Sequence, residues 1–153
     1  MTDTFRIDIL NGPNTNLYGL DPNGLYGRLT LAQIEERCRS RAEQLGVAMR
    51  FRQSSSEGVL IDWIHEARDS ADAIVINGGS LSYTSLGLMD ALASFPGPSL
   101  QVHVSNVFKR EPIRHHSFIS QAATGCLIGL GPLGYEIAVE ALVMFLRERG
   151  PST

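Results

Sequence analysis

The sequence predicts a single α/β domain built on a parallel β-sheet, and three observations support that prediction. Short segments that are apolar or alternate between apolar and polar residues, as strands do, are followed along the chain by longer amphipathic segments typical of helices. Polar motifs follow four of the strand segments, where open α/β sheets collect ligand-binding residues. The chain has 153 residues, of which 43% are hydrophobic, so it can bury one full core but is too short for two ordinary domains.

The first predicted strand and helix are separated by a long loop. Residues 5–10 alternate and then become apolar, which predicts a strand, and Asn11-Gly-Pro-Asn14 follows as a sharp turn. Residues 15–28 contain three glycines, one proline and two asparagines, and this segment is too long for a tight connection. We therefore expect a mobile lid there. Thr30 is a suitable N-cap for a helix that runs to about Leu45.

The rest of the chain continues the alternation of strands and helices. The apolar run 73–77 is typical of a strand that is buried on both faces of a parallel sheet. The remaining strands are predicted at 47–53, 73–77, 100–104 and 126–129, and the remaining helices at 56–70, at about 84–94 and up to about 149. Right-handed crossovers make this a flavodoxin-like doubly wound sheet of five strands. One domain then covers residues 1–153, with a short flexible tail at about 150–153.

Composition excludes several kinds of partner. The net charge is -3 and no long basic run occurs, which argues against nucleic acid. The apolar stretches are too short to span a membrane, and the N-terminus lacks the layout of a signal peptide, so we expect a cytoplasmic protein. The two cysteines, Cys38 and Cys126, lie far apart without metal-ligand spacing and are expected to be free thiols. No metal site is predicted.

Nucleotide binding is also not expected. No glycine-rich fingerprint follows the first strand, and no phosphate-loop lysine is present. Residues 129–134 match the spacing G-x-G-x-x-G, but they follow the last strand rather than the first. We interpret these glycines as a place where a helix packs closely on a strand.

Several motifs in fixed order, spread over nearly the whole chain, carry a family resemblance. They are Asn11-Gly-Pro-Asn14, Tyr26-Gly27, Gln53-Ser-Ser-Ser-Glu57-Gly58, His103-Val-Ser105-Asn106, Arg110-Glu111, Arg114-His-His-Ser117 and Gly129-Leu-Gly-Pro-Leu-Gly-Tyr135. Together they resemble the type II 3-dehydroquinate dehydratase family. The resemblance implies a cofactor-free dehydration of 3-dehydroquinate to 3-dehydroshikimate by anti elimination through an enolate. It also implies a homo-oligomer, a dodecamer built as four trimers.

The resemblance assigns three catalytic residues. Tyr26 would take the proton from C2, His103 would protonate the departing C1 hydroxyl, and Asn14 would hold a water that stabilises the enolate oxygen. Of the residues implied in substrate binding, Asn77 would orient His103 or the leaving hydroxyl, Ser105 would receive the carboxylate and Arg114 would reach a ring hydroxyl. The full set implied in substrate binding is Asn77, Tyr83, Asp90, Val104, Ser105 and Arg114.

The residue types suit this chemistry on general grounds. A proton next to a ketone is only weakly acidic, so the enolate needs a hydrogen-bond donor positioned in advance. The leaving hydroxide needs a proton, and histidine titrates near neutral pH. A free tyrosine has a pKa of about 10, so a tyrosine base needs a nearby positive charge.

Three substitutions depart from the family pattern at functional positions. Asp21 replaces a lid arginine, Tyr83 replaces a histidine that contacts a ring hydroxyl, and Gln101 replaces a glutamate that orients the acid histidine. A carboxylate close to Tyr26 would disfavour its ionised form. Gln101 can orient the His103 ring but supplies no charge.

The departures leave several alternatives open. Arg28, Arg110 or Arg114 could supply the charge that the lid lacks, Asp21 could itself be the base, or Asp21 could point outward. The chain could also be a paralogue that performs an enolate-type elimination or isomerisation on a different cyclic keto acid, or a non-catalytic ligand-binding relative.

Overall fold

The computed structural model of the protein describes residues 4–21 and 23–149, so the predicted tail at 150–153 lies outside the described residues. A five-stranded parallel sheet forms the centre, with the strand order β2-β1-β3-β4-β5. The strands are β1 Arg6–Asn11, β2 Ala48–Gln53, β3 Ala73–Asn77, β4 Ser99–His103 and β5 Gly125–Ile128. The helices are α1 Leu31–Leu45, α2 Glu57–Ser70, α3 Leu86–Ser94, α4 Phe118–Ala122 and α5 Leu133–Arg149. The predicted flavodoxin-like sheet is confirmed.

Side-chain caps fix where the helices begin. The Thr30 hydroxyl accepts a hydrogen bond from the Gln33 backbone amide, and the Gln33 side-chain oxygen accepts one from the Thr30 backbone amide, which makes a capping box at the start of α1. Ser56 caps α2 in the predicted place. Ser85 caps α3, so this helix begins at Leu86 rather than near 84. Helix α4 had no predicted range, because five residues are too few to show an apolar period.

Two apolar layers bury the sheet on both faces. Helices α1 and α5 cover one face, and α2, α3 and α4 cover the other. All five residues of β3 are buried, as the apolar run predicted. Gly134 supports this packing, since a Cβ there would lie 3.4 Å from the Val102 Cγ1 atom of β4. Of the glycines after β5, Gly134 thus lies near a strand as expected. A Cβ on Gly129 would instead lie 2.9 Å from the Asn106 Cβ atom, and one on Gly131 would have no neighbour within 4 Å among the described residues. None of the helices in the described part of the chain is long and apolar enough to cross a membrane.

The carboxyl ends of the central strands converge at one edge of the sheet. The Gly12 amide donates to the Asn77 carbonyl over 2.8 Å, which ties the turn after β1 to the turn after β3. A Cβ on Gly12 would lie 2.5 Å from the Gly78 carbonyl oxygen, so only glycine allows this approach. This contact brings the first asparagine motif beside Asn77.

Candidate active site

A cleft lined by polar and aromatic side chains lies at this edge. It is built from the loops after β1, β3 and β4 together with the segment predicted as a lid. The residues that line it are Pro13, Asn14, Tyr18, Tyr26, Asn77, Gly79, Ser80, Tyr83, His103, Val104, Ser105, Arg110 and Arg114. Every catalytic residue that the sequence predicted is among them.

Two predicted site residues, Asp21 and Asp90, do not line this cleft. Asp90 is exposed on α3. Asp21 is also exposed, and its carboxylate accepts a hydrogen bond from the Asn23 amide over 3.2 Å. Its carbonyl accepts another from the Gly24 amide, so Asp21 stabilises its own turn. Of the alternatives for Asp21, the structure supports the outward orientation.

The substitution Asp21→Ala is therefore expected to leave kcat within about twofold of wild type, as is common for exposed residues with only local contacts. Steady-state rates of the two proteins, measured over the same pH range, check this. A large loss of kcat in Asp21→Ala would restore Asp21 as a candidate base.

Arg110 supplies the positive charge beside Tyr26. Its Nη1 atom donates to the Tyr26 hydroxyl over 3.1 Å and to the Ser105 hydroxyl over 3.2 Å. Its guanidinium carbon lies 5.7 Å from the centre of the Tyr26 ring. Arg28 is exposed on the lid segment, and Arg114 is bound elsewhere in the cleft. Of the three arginines that could supply this charge, Arg110 is therefore the one that contacts the Tyr26 hydroxyl in the structure.

His103 is buried at the end of β4. Burial, together with the nearby charges of Arg110 and Arg114, lowers the pKa of His103 to about 4. The Gln101 amide nitrogen lies 2.9 Å from the His103 Nε2 atom. Because that amide nitrogen can only donate, Nε2 accepts and the ring proton lies on Nδ1. Burial and these two positive charges thus keep His103 neutral at pH 7 when no ligand is bound.

Side-chain hydroxyls and a thiol fix the orientation of the Gln101 amide. Its Oε1 atom accepts hydrogen bonds from the Ser120 hydroxyl and from the Cys126 thiol. Its Nε2 atom contacts the hydroxyls of Ser82 and Ser117 at 3.3 and 3.1 Å. The short helix α4 contributes Ser120, so the helix that had no predicted range helps to hold the histidine partner.

Tyr83 lies against His103. Its ring is stacked on the His103 ring, with centroids 6.0 Å apart and planes 12° apart. The Arg114 guanidinium carbon lies 5.6 Å from the Tyr83 ring, and the Arg114 Nε atom donates to Glu111 over 2.6 Å. Burial raises the pKa of Tyr83, so its hydroxyl stays protonated at neutral pH. Tyr83 therefore presents a neutral donor and acceptor where the family has histidine.

The Asn77 side chain is held in a buried network. Its Nδ2 atom donates to the hydroxyls of Tyr18 and Tyr135, each over 2.8 Å. Its Oδ1 atom accepts from the Gly79 amide over 3.2 Å. The family resemblance implied that Asn77 orients His103 or the leaving hydroxyl; in the structure the partners of its amide are Tyr18, Tyr135 and Gly79, and not His103.

The remaining predicted residues are held by the turns after β1 and β4. Asn14 adopts a left-handed conformation, with a φ of 69°, which asparagine tolerates better than most residues. The Gly129 amide donates to the His103 carbonyl and the Gly131 amide donates to the Val104 carbonyl, each over 3.0 Å. These bonds fix the backbone from which Val104 and Ser105 reach the cleft.

The sequence did not indicate that Tyr18 lines the cleft. It also left Arg110 as one of three arginines that could supply a positive charge beside Tyr26. Tyr18 follows a 3-10 turn over Thr15–Leu17, and its ring lies 4.9 Å from that of Tyr26. Its only signal in the sequence is its position four residues after Asn14.

Comparison with known proteins identifies relatives along almost the whole chain. Residues 5–143 match the family model described as dehydroquinase class II. The chain is 47% identical over 141 residues to a 3-dehydroquinate dehydratase of Caulobacter vibrioides. The aligned region covers 92% of this chain and 97% of that protein. It is 46% identical over 142 residues to a catabolic 3-dehydroquinase of Phaeosphaeria nodorum, with 93% of each protein covered.

Solved structures give the same result. The type II dehydroquinase of Propionibacterium acnes superposes with a TM-score of 0.87 at 35% identity, over 93% of this chain and 99% of that one. The type II dehydroquinase of Butyrivibrio crossotus superposes with a TM-score of 0.88 at 33% identity, over 91% and 97% of the two chains.

Proposed function

This chain belongs to the class II dehydroquinase family, and we propose on that premise that Tyr26 is the base and His103 the acid with which it dehydrates 3-dehydroquinate to 3-dehydroshikimate. The reaction makes the protein a carbon–oxygen lyase that acts on a small molecule. One observation supports the mechanism above others. Tyr26 and His103 line the same cleft, and Arg110 joins the Tyr26 hydroxyl to Ser105, the expected carboxylate site.

Proton removal is the first step of this mechanism. The ionised Tyr26 takes the proton from C2, and the electron pair of the C–H bond moves towards the C3 carbonyl to form an enolate. The Arg110 guanidinium donates a hydrogen bond to the Tyr26 oxygen and holds it in the cleft beside Ser105. Asn14 holds a water on the enolate oxygen.

Loss of water is the second step. The enolate electrons form the C1–C2 double bond as the C1–O bond breaks, and His103 gives the departing hydroxyl its proton. C1 carries both the leaving hydroxyl and the carboxylate. This fits an acid and a carboxylate site that lie two residues apart on one loop, at His103 and Ser105.

His103 must gain a proton before it can act as an acid. Its pKa is lowered to about 4 by burial and by two arginines. A substrate carboxylate at Ser105 brings the opposite charge, which raises the pKa of a nearby histidine. In this proposal substrate binding itself charges His103, since Gln101 has no charge to do so. In this proposal Tyr83 and Arg114, which also line the cleft, contact the ring hydroxyls.

The substitution Gln101→Glu tests how His103 is charged. A carboxylate at this position accepts the Nε2 proton of His103 and favours the imidazolium ion, so the pKa of His103 rises. The hydroxyls of Ser117 and Ser120 already point at residue 101 and can donate to the new carboxylate. We expect the alkaline limb of the kcat–pH profile to move up by about one pH unit or more.

Two controls accompany this experiment. The profile of Gln101→Glu is compared with that of wild type at equal ionic strength, and the thermal midpoint verifies that the buried carboxylate is tolerated. An unchanged alkaline limb in a folded Gln101→Glu protein would contradict the role of His103 as the acid.

Stereospecific labelling tests the reaction itself. Wild-type protein is incubated with two samples of 3-dehydroquinate, each carrying deuterium at one of the two C2 positions, and NMR identifies the product and its label. We expect 3-dehydroshikimate that has lost the deuterium anti to the C1 hydroxyl. Loss of the other deuterium would contradict the anti elimination. A folded protein that turns over neither sample would point instead to a different cyclic keto acid.

We further propose that the protein works in the cytoplasm as a dodecamer of four trimers. Support comes from the family resemblance and from exposed apolar side chains that subunit contacts would cover, such as Leu20, Ile113 and Met144, which are 71%, 75% and 61% exposed. Light scattering after gel filtration tests the assembly, and the mass of a monomer would contradict it.

A further inference from the structure

We propose that Tyr18 is a further catalytic residue, whose hydroxyl donates a hydrogen bond to the C3 oxygen of the substrate and stabilises the enolate that forms there. The inference rests on the proposed dehydration and adds a protein donor to it. Three features of the structure support it: the free donor capacity of the hydroxyl, its burial, and its position beside the base.

The Tyr18 hydroxyl has a hydrogen to give. A phenol can donate one hydrogen bond and accept others. The Asn77 Nδ2 atom donates to the Tyr18 oxygen over 2.8 Å. No atom within residues 4–21 and 23–149 accepts the hydrogen of Tyr18 in return. Because Tyr18 lines the cleft, a bound molecule can accept it.

Tyr135 also bonds to Asn77 and provides a comparison, because its hydroxyl has both of its hydrogen bonds inside the protein. It accepts from the same Asn77 Nδ2 atom over 2.8 Å, but it also donates to the Asn11 Oδ1 atom over 2.7 Å. It is completely buried and does not line the cleft. The two tyrosines thus share one donor, and they differ in where the second bond goes.

The surroundings of Tyr18 keep its hydroxyl a donor. Tyr18 is only 6% exposed, and burial raises its pKa to about 12. It therefore stays protonated over the pH range in which enzymes are assayed, and it cannot compete with Tyr26 as a base. A donor in a buried site that is already oriented by Asn77 stabilises a developing negative charge more strongly than water does.

The position of Tyr18 selects the C3 oxygen among the oxygens of the substrate. Its ring lies against that of Tyr26, with centroids 4.9 Å apart. Tyr26 takes the proton from C2, and C3 is the next atom of the ring. The carboxylate and leaving hydroxyl on C1 belong to the other side of C2, towards His103 at the end of β4 and Ser105 just after it.

The substitution Tyr18→Phe tests this donor directly, because it keeps the ring beside Tyr26 and removes the hydroxyl. Loss of one oxyanion donor lowers kcat by about 10²-fold in well-studied enzymes, so we expect a loss of this order with little change in KM. Tyr18→Leu, which also lacks the donor, should lose at least as much. Circular dichroism and light scattering verify that both variants are folded and assembled.

Tyr135→Phe is the matched control. It removes the other acceptor of the same Asn77 nitrogen, so any effect transmitted through Asn77 appears in both proteins. We expect Tyr135→Phe to lower the thermal midpoint and to retain a kcat close to that of wild type.

Three results would overturn the proposal: a wild-type kcat in Tyr18→Phe, an equal loss of kcat in Tyr18→Phe and Tyr135→Phe, or a rise in KM with kcat unchanged. Each of these results leaves wild-type turnover intact. Absence of turnover in the wild-type protein would instead overturn the proposed function, and this inference with it.

Discussion

Replacing Tyr26 with phenylalanine is expected to lower kcat by about 10³-fold, within the range that general bases contribute. Tyr26 is half-buried in the cleft, and its hydroxyl receives a hydrogen bond from Arg110. Phenylalanine keeps the ring that packs on Tyr18 but has no oxygen to take the C2 proton. KM is expected to change little, since the residues proposed to bind the carboxylate and the ring hydroxyls remain.

The measurement for Tyr26→Phe is the steady-state rate with 3-dehydroquinate, supported by circular dichroism to verify the fold. A primary isotope effect with C2-deuterated substrate gives a second readout. If Tyr26→Phe retained a rate near that of wild type, another group would have to be the base, and the assignment of Tyr26 would fail.

Replacing Arg110 with methionine is also expected to have a large effect, a loss of about 10²-fold in kcat. Methionine keeps a similar apolar volume but removes the guanidinium that contacts both Tyr26 and Ser105. Without that cation the Tyr26 hydroxyl loses its hydrogen-bond donor. KM should rise as well, because Ser105 loses the partner that holds it at the carboxylate site. The pKa of His103 should also rise, since Arg110 is one of the charges that lower it.

Two further variants separate charge from geometry at this position. Arg110→Lys keeps the charge but not the planar fork, so we expect it to recover only part of the activity. Lys109→Met removes a positive charge from the neighbouring residue, which is exposed and does not line the cleft, and it should behave as wild type. Equal losses in Lys109→Met and Arg110→Met would mean that the net charge matters rather than the contact.

Much of the fold was predictable because its signals are local. The apolar run 73–77 matches β3 from end to end, and the Thr30 cap lies where the sequence placed it. The other strand boundaries differ by about one residue, since pairing in the sheet decides them. Helix α4 was not located because it is short, and it depends on a cap at Ser117 and on packing of Ile119.

The candidate site was predictable where its residues follow strands. Asn77 is the last residue of β3 and His103 is the last residue of β4. A parallel sheet therefore brings them to the same edge even if the exact strand boundaries are not known. Arg110 could not be chosen from three arginines, because its contact with Tyr26 joins residues 84 positions apart. The direction of Asp21 depends on a single bond to the Asn23 amide, which no pattern in the sequence reveals.

The most direct test of the central claim is to mix purified wild-type protein with 3-dehydroquinate and follow the absorbance of the conjugated enone product, with Tyr26→Phe in parallel. We predict steady formation of 3-dehydroshikimate by the wild-type protein and almost none by the variant. No enone from folded wild-type protein would contradict the proposed dehydration, and equal rates in the two proteins would contradict Tyr26 as its base.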